Sequence, residues 1–148
     1  MTAPRVSVLM PVYNAAETLV QTLESIAGQS FEDFEVVAVD DGSEDGSGEI
    51  LQGWVEKDCR FRVLLEEHRG IVETPNRGLG ECRGEFVARM AADDKMHPQR
   101  LVSVLRRCRR YCTTGANTGS GRRIRIPAIR WRISSGPRCI ICARGRLH

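Results

Sequence analysis

No stretch of this 148-residue sequence comes near the roughly 20 consecutive apolar residues that a bilayer-spanning helix needs. Its N-terminus also lacks the basic, then apolar, then small pattern of a secretory leader. The expected location is therefore the cytoplasm, where the six cysteines remain thiols rather than pairing. A second absence is sharper: no Asp or Glu follows Asp94. Residues 1–94 hold 8 Lys or Arg against 19 Asp or Glu, a balance of −11, while residues 95–148 hold 14 Lys or Arg and no carboxylate, a balance of +14. Aromatics are scarce in the same region, with Tyr111 and Trp131 alone after residue 95.

So abrupt a change divides the chain into two unlike parts, an ordinary domain over 1–111 and a basic tail over 112–148 that has lost strand and helix periodicity. The tail admits three readings. A change of reading frame near residues 106–112 would produce its excess of Arg, Gly, Cys and Ser. A zinc site could form from Cys108, Cys112, Cys139 and Cys142, whose C-x3-C and C-x2-C pairs suit tetrahedral thiolate binding, although no hydrophobic framework surrounds them. Clustered arginines could bind a polyanion or nucleic acid, the alternative function for the whole chain. With so few aromatics for base stacking, no specific nucleic-acid partner is expected. The expectation is a disordered or poorly packed tail, made adhesive by Ile124, Ile126, Ile129, Ile133, Ile140 and Ile141.

The first part alternates strand and helix signals with short connections, the pattern of an α/β domain with an open, mostly parallel sheet and flanking helices. Strands are expected over 6–12, 34–39, 61–65 and 85–90. Leu19, Leu23 and Ile26 recur at helical spacing over 15–27, and Ile50, Leu51, Trp54 and Val55 mark a second helix with Asp45 and Ser47 as capping candidates. A third helix is expected over 71–82 and a fourth from about Pro98 through Leu105.

In such a sheet ligands bind beyond the carboxyl ends of the strands. Three groups fall there: Pro11-Val12-Tyr13-Asn14, Asp40-Asp41-Gly42-Ser43 and Asp93-Asp94. Pro and Asn are also common turn formers, and Asp and Ser also cap helices. One cap needs one oxygen, however, so two adjacent carboxylates exceed it. Paired carboxylates such as Asp93-Asp94 are what a hard divalent cation takes, usually together with substrate phosphates, whereas a solvated acidic turn is the plain alternative.

Taken together, the blocks VSVLMPVYN, QSFEDFEVVAVDDGSEDGS, RGIVETPNRGL, GEFVARM and AADDKMHPQRL resemble, in order and spacing, those of bacterial family 2 glycosyltransferases over residues 5–105. The resemblance implies the GT-A fold, whose Rossmann-like half binds a nucleotide diphosphate sugar, and sugar transfer with inversion. It implies that Pro11 and Tyr13 lie along the base and ribose, that Asp41 with Asp40 beside it hydrogen-bonds the base, and that Asp93 and Asp94 reach the ribose or hold Mn²⁺ or Mg²⁺ against the diphosphate. Arg77 and Arg89 could assist the phosphates, although a solvated helix face and a strand-edge charge explain them more simply.

Three departures bear on activity. Relatives carry Asp where this chain has Ala91. Pro75 stands inside the expected third helix, where a proline removes a hydrogen bond and costs about 3 kcal/mol. An inverting transferase needs a general base, which the family supplies from its second half, and residues 95–148 offer no carboxylate. The expectation is a truncated donor-binding domain, inactive in transfer, with its catalytic base and acceptor unknown, marginally stable and inclined to self-associate.

Overall fold

Consecutive residues of a strand point to opposite faces, so a strand that is apolar at every position must be covered on both sides. Val6–Val12, apolar except at Ser7, and Phe34–Asp41, apolar at Phe34 and over 36–39, come close to this and are buried almost throughout. The computed structural model describes residues 3–112 and 139–142, with side chains as far as residue 106. Along the chain run β1 (Val6–Val12), α1 (Ala16–Ala27), β2 (Phe34–Asp41), α2 (Ser47–Lys57), β3 (Phe61–Glu66), α3 (Glu73–Glu81), β4 (Phe86–Arg89), α4 (Arg100–Cys112) and β5 (Cys139–Cys142). The strands form one parallel sheet in the order β3-β2-β1-β4-β5.

The two faces are covered by different helices. Val6, Val8, Met10 and Val12 of β1 pack with Val36 and Ala38 of β2 under Leu19, Leu23 and Ile26 of α1, Leu51 of α2 and Leu101 of α4. The alternate residues Leu9, Val37, Val39 and Val87 pack under Leu79 and Cys82 of α3. That second contact is close: a Cβ on Gly78 would lie 2.5 Å from Leu9 Cδ1 and 2.6 Å from Val39 Cγ2, so only glycine lets α3 settle here. At the opposite end of the sheet Glu35 Oε1 accepts from Ser7 Oγ at 2.6 Å and from the Arg83 amide at 2.7 Å, and Ser7 Oγ accepts from the Gly84 amide at 2.8 Å. This buried network fixes where the chain enters β4.

Apart from shifts of a single residue at the ends of α1, β3 and β4, the observed elements differ from the expected ones in four places. β2 runs two residues past Val39, because β3 continues beside it and Asp40 and Asp41 pair with Leu65 and Glu66. α3 begins at Glu73, not residue 71, which moves Pro75 into the first turn. There the backbone N–H has no intrahelical acceptor, so the expected cost of an interior proline does not arise. α4 begins at Arg100, after a turn that contains Pro98. Residues 139–142 form a strand beside β4, where no strand was expected. The tail expectations otherwise fall on residues 113–138 and 143–148, outside the described ones, as do the side chains of the four cysteines in the zinc reading. Among the described residues no helix is long and apolar enough to cross a membrane.

Candidate functional site

The sheet order places a reversal between β1 and β4: α1 and α2 carry the chain outward from β1 to β3, and α3 carries it back across to β4. A crevice opens beyond the carboxyl ends of the strands at such a switch point. Pro11 stands on its edge. Leu9 O accepts from the Met90 amide at 2.9 Å, so odd-numbered residues of β1 direct their backbone groups toward β4. The last β1–β4 pair is Leu9 with Arg89. Pro11, two residues on, therefore has no ladder partner to lose, and this is why a central strand tolerates proline there.

The β1–α1 and β2–α2 loops on this rim are stitched together. Asn14, in the left-handed region at φ 46°, donates its amide to Ser43 Oγ at 2.9 Å and accepts from the Glu44 amide at 3.0 Å through Oδ1. Ser47 Oγ accepts from the Ala15 amide at 3.0 Å. Asp45 takes the Ala16 amide on one oxygen at 2.8 Å and the Ser47 amide and hydroxyl on the other at 3.1 and 2.6 Å. One carboxylate thus caps the starts of both α1 and α2. The Ser47 hydroxyl and the Ala16 amide hold its carboxyl below the usual aspartate range.

Asp40 and Asp41 are neighbours in sequence but face opposite sides of the sheet, and both are buried. Asp40 accepts from the Ser43 amide at 3.2 Å through Oδ2, while its Oδ1 is buried without a hydrogen-bond partner. Asp41 is heavily engaged. Its Oδ1 accepts from the Arg69 amide at 2.7 Å and Thr74 Oγ1 at 2.6 Å, and its Oδ2 from the Gly70 amide at 3.1 Å, with His68 Nδ1 3.0 Å from Oδ2. Three donors thus occupy three of the four acceptor positions of the carboxylate, and the imidazole stands beside the fourth. Burial opposes its ionisation, but the bonds from Arg69, Thr74 and Gly70 and the nearby His68 outweigh that and lower its pKa. His68 Nδ1 also lies 3.2 Å from Asp41 O, so the proton belongs on Nδ1 and Nε2 is left outward. The imidazole, 58% exposed, meets the half-exposed Tyr13 ring at 4.6 Å between centroids.

Asp93 and Asp94 lie on an exposed turn directly after β4, on the β1 side of which Pro11 stands. Neither carboxylate is engaged by another described residue, and among the described residues no three His, Cys, Asp or Glu side chains converge on one point. Two free carboxylate oxygens on one turn fit a hard divalent cation that also takes phosphate oxygens, and fit poorly a cation that needs an all-protein cage. Arg77 is bound elsewhere, to Glu66 at 3.1 Å and Glu81 at 2.8 Å on an exposed helix face, as the simpler explanation had it. Arg89 ends β4, half-buried. Sequence reasoning missed His68 and Thr74, and nothing in their sequence neighbourhood signals that Asp41 gathers them. The acidic turn's hydrogen bonds to α1 were equally hidden.

Residues 7–138 match the family model described as glycosyl transferase family 2. EpsH of Bacillus subtilis (strain 168) is 38% identical over 107 residues, 72% of this chain and 31% of EpsH. The crystal structure of S. aureus TarS 1–349 in complex with UDP-GlcNAc superposes with a TM-score of 0.66 at 25% identity, over 78% of this chain and 37% of that one. The mannosyltransferase PcManGT from Pyrobaculum calidifontis, in complex with GDP-Man and Mn²⁺, gives 0.60 at 32% identity, over 68% and 30%. The chain spans about a third of the length of each.

Proposed function

The chain belongs to glycosyl transferase family 2, and from that premise we propose that residues 1–111 form the part of such an enzyme that binds the nucleotide diphosphate sugar, with a divalent cation between Asp93-Asp94 and the diphosphate. The observation that carries this reading is the reversal of strand order between β1 and β4, with Pro11 near the end of β1 and two unengaged carboxylates on the turn that follows β4. Tyr13 offers an exposed ring face to the base and ribose beside Pro11. Asp41 reaches a base N–H by giving up His68, its most exposed partner. Asp40, on the opposite face of the sheet, keeps one buried carboxylate oxygen, Oδ1, without a partner beside the same rim.

Mn²⁺ or Mg²⁺, when bound, neutralises the charge that develops on a departing diphosphate. The residues of this chain contribute the carboxylates that hold the cation and a rim stiffened by Asn14, Asp45 and Ser47, which keeps the donor's nucleotide end in register. A sugar transfer also needs a base within hydrogen-bonding reach of the acceptor hydroxyl. Every carboxylate of this sequence precedes residue 95, and the four on the rim are assigned to the donor. We therefore infer donor binding without transfer for the 148-residue chain itself. Calorimetric titration with uridine diphosphate, with and without Mn²⁺, tests the reading. Affinity that rises with Mn²⁺ is expected, and equal affinity in its presence and absence would remove the assigned role of the acidic pair.

A further inference from the structure

Helix α1 turns a polar stripe, Thr18, Thr22 and Ser25, toward the chain that leaves β4, and Gln29 follows just past its end. The spacing of four and three residues keeps the three on one face. Each of them bonds main-chain atoms. Thr18 Oγ1 and Thr22 Oγ1 both donate to Ala92 O, at 3.1 and 2.8 Å. Ser25 Oγ accepts from the Met96 amide at 2.9 Å. Gln29 Nε2 donates to His97 O at 2.7 Å, and its Oε1 accepts from the Leu101 amide at 3.2 Å. Thr22 and Gln29 are buried.

Each threonine hydroxyl has one proton, which it shares with a carbonyl of its own helix. Thr18 Oγ1 lies 3.3 Å from Ala15 O and Thr22 Oγ1 lies 3.1 Å from Thr18 O, so in both cases the contact to Ala92 is the shorter. The sheet gives the acidic turn no such support, since its last backbone bond to this segment ends at Met90. Within the turn the Asp94 amide reaches Ala91 O at a long 3.4 Å. The carbonyl immediately before Asp93 is therefore the point at which the turn is fastened, and two hydroxyls fasten it.

We propose that Thr22, assisted by Thr18, is a positioning residue for the divalent cation: by holding Ala92 O it sets the direction in which Asp93 and Asp94 present their carboxylates. The proposal rests on the donor-binding reading above. Ser25 and Gln29 act further along, tying the exit of the turn to the same helix. A main-chain acceptor makes the clamp indifferent to the side chain at residue 92 but dependent on a hydroxyl at residue 22.

The test compares the full chain with Thr22→Val, which keeps shape and loses the donor, and Thr22→Ser, which keeps the donor. Uridine diphosphate is titrated with and without Mn²⁺, and amide exchange over residues 92–96 is followed in metal-free protein. In Thr22→Val the Mn²⁺-dependent gain in affinity should fall about five- to tenfold, the loss of one to two modest hydrogen bonds, while metal-free affinity holds and amide exchange in the turn quickens. Thr22→Ser should restore both. Unchanged Mn²⁺ gain in Thr22→Val, or an equal loss with and without Mn²⁺, would overturn the proposal and leave the donor reading standing. A wild-type chain with no Mn²⁺ gain would overturn both. Thr18→Val, at an exposed position, should show a smaller loss in the same direction and carries the test should Thr22→Val not fold; an unchanged Mn²⁺ gain there would overturn the clamp.

Discussion

Replacing Asp41 by alanine removes the carboxylate that gathers His68, Arg69 and Gly70 of the β3–α3 loop and Thr74 of α3. Hydrogen bonds to an ionised group contribute about 1.5–3 kcal/mol each, so the three from Arg69, Gly70 and Thr74 amount to roughly 4.5–9 kcal/mol gross. Keeping a carboxylate buried costs several kcal/mol, which leaves a net loss of about 2–4 kcal/mol for Asp41→Ala. Part of that loss is the buried Thr74 hydroxyl left without its acceptor, so Asp41→Ala/Thr74→Val should recover about 1 kcal/mol. The pH dependence has a definite sign. The folded pKa is depressed, so the contribution is complete above the unfolded value near 3.9 and is lost as pH falls through the lower folded value. Urea unfolding of wild type and variant between pH 7 and pH 3 measures it. The difference should stay level down to about pH 5 and shrink below about pH 4. A difference under 0.5 kcal/mol at pH 7, or one that grows on acidification, would refute the reasoning.

Gly84→Ala should destabilise by about 1–3 kcal/mol or more in the same unfolding assay, because the added Cβ lies 2.5 Å from the Ser7 backbone nitrogen, which cannot move without β1. Pro75→Ala should destabilise by about 1–2 kcal/mol, since the first turn of α3 tolerates proline and the buried ring loses two methylenes of packing. Asp94→Ala should abolish the Mn²⁺-dependent part of uridine diphosphate affinity and spare the metal-free part, read by calorimetry. Ala91→Asp, which adds a third carboxylate to the turn, should raise that Mn²⁺-dependent part several-fold, and no change would show that residue 91 does not face the cation.

The sheet was legible because its signal is local. Strands buried on both faces are apolar at nearly every position, and β1 from Val6 to Val12, interrupted only by Ser7, shows that pattern. Family membership was equally legible from ordered blocks, as were the three groups on the rim, since an open parallel sheet leaves its ligand one place to bind. Boundaries were less so. Whether β2 stops at Val39 or Asp41 depends on how far β3 continues beside it, and whether Pro75 harms α3 depends on where that helix starts.

The sequence by itself determined which elements form from β1 to α4, in what order, and which residue types reach the rim, because apolar periodicity, turn chemistry and strand direction are set by near neighbours, whereas β5 owes its place to pairing with the distant β4. Only the tertiary structure decided what each rim residue is free to do. It sent Asp40 and Asp41 to opposite faces, engaged Asp41 from the β3–α3 loop and the first turn of α3, and left Asp93 and Asp94 unengaged by other described residues. It also brought Thr18 and Thr22 to the carbonyl of Ala92, more than 60 residues away in the chain. Hydrogen-bond capacity is a property of side chains that the sequence records, but its saturation depends on partners that only the crossover connections bring near.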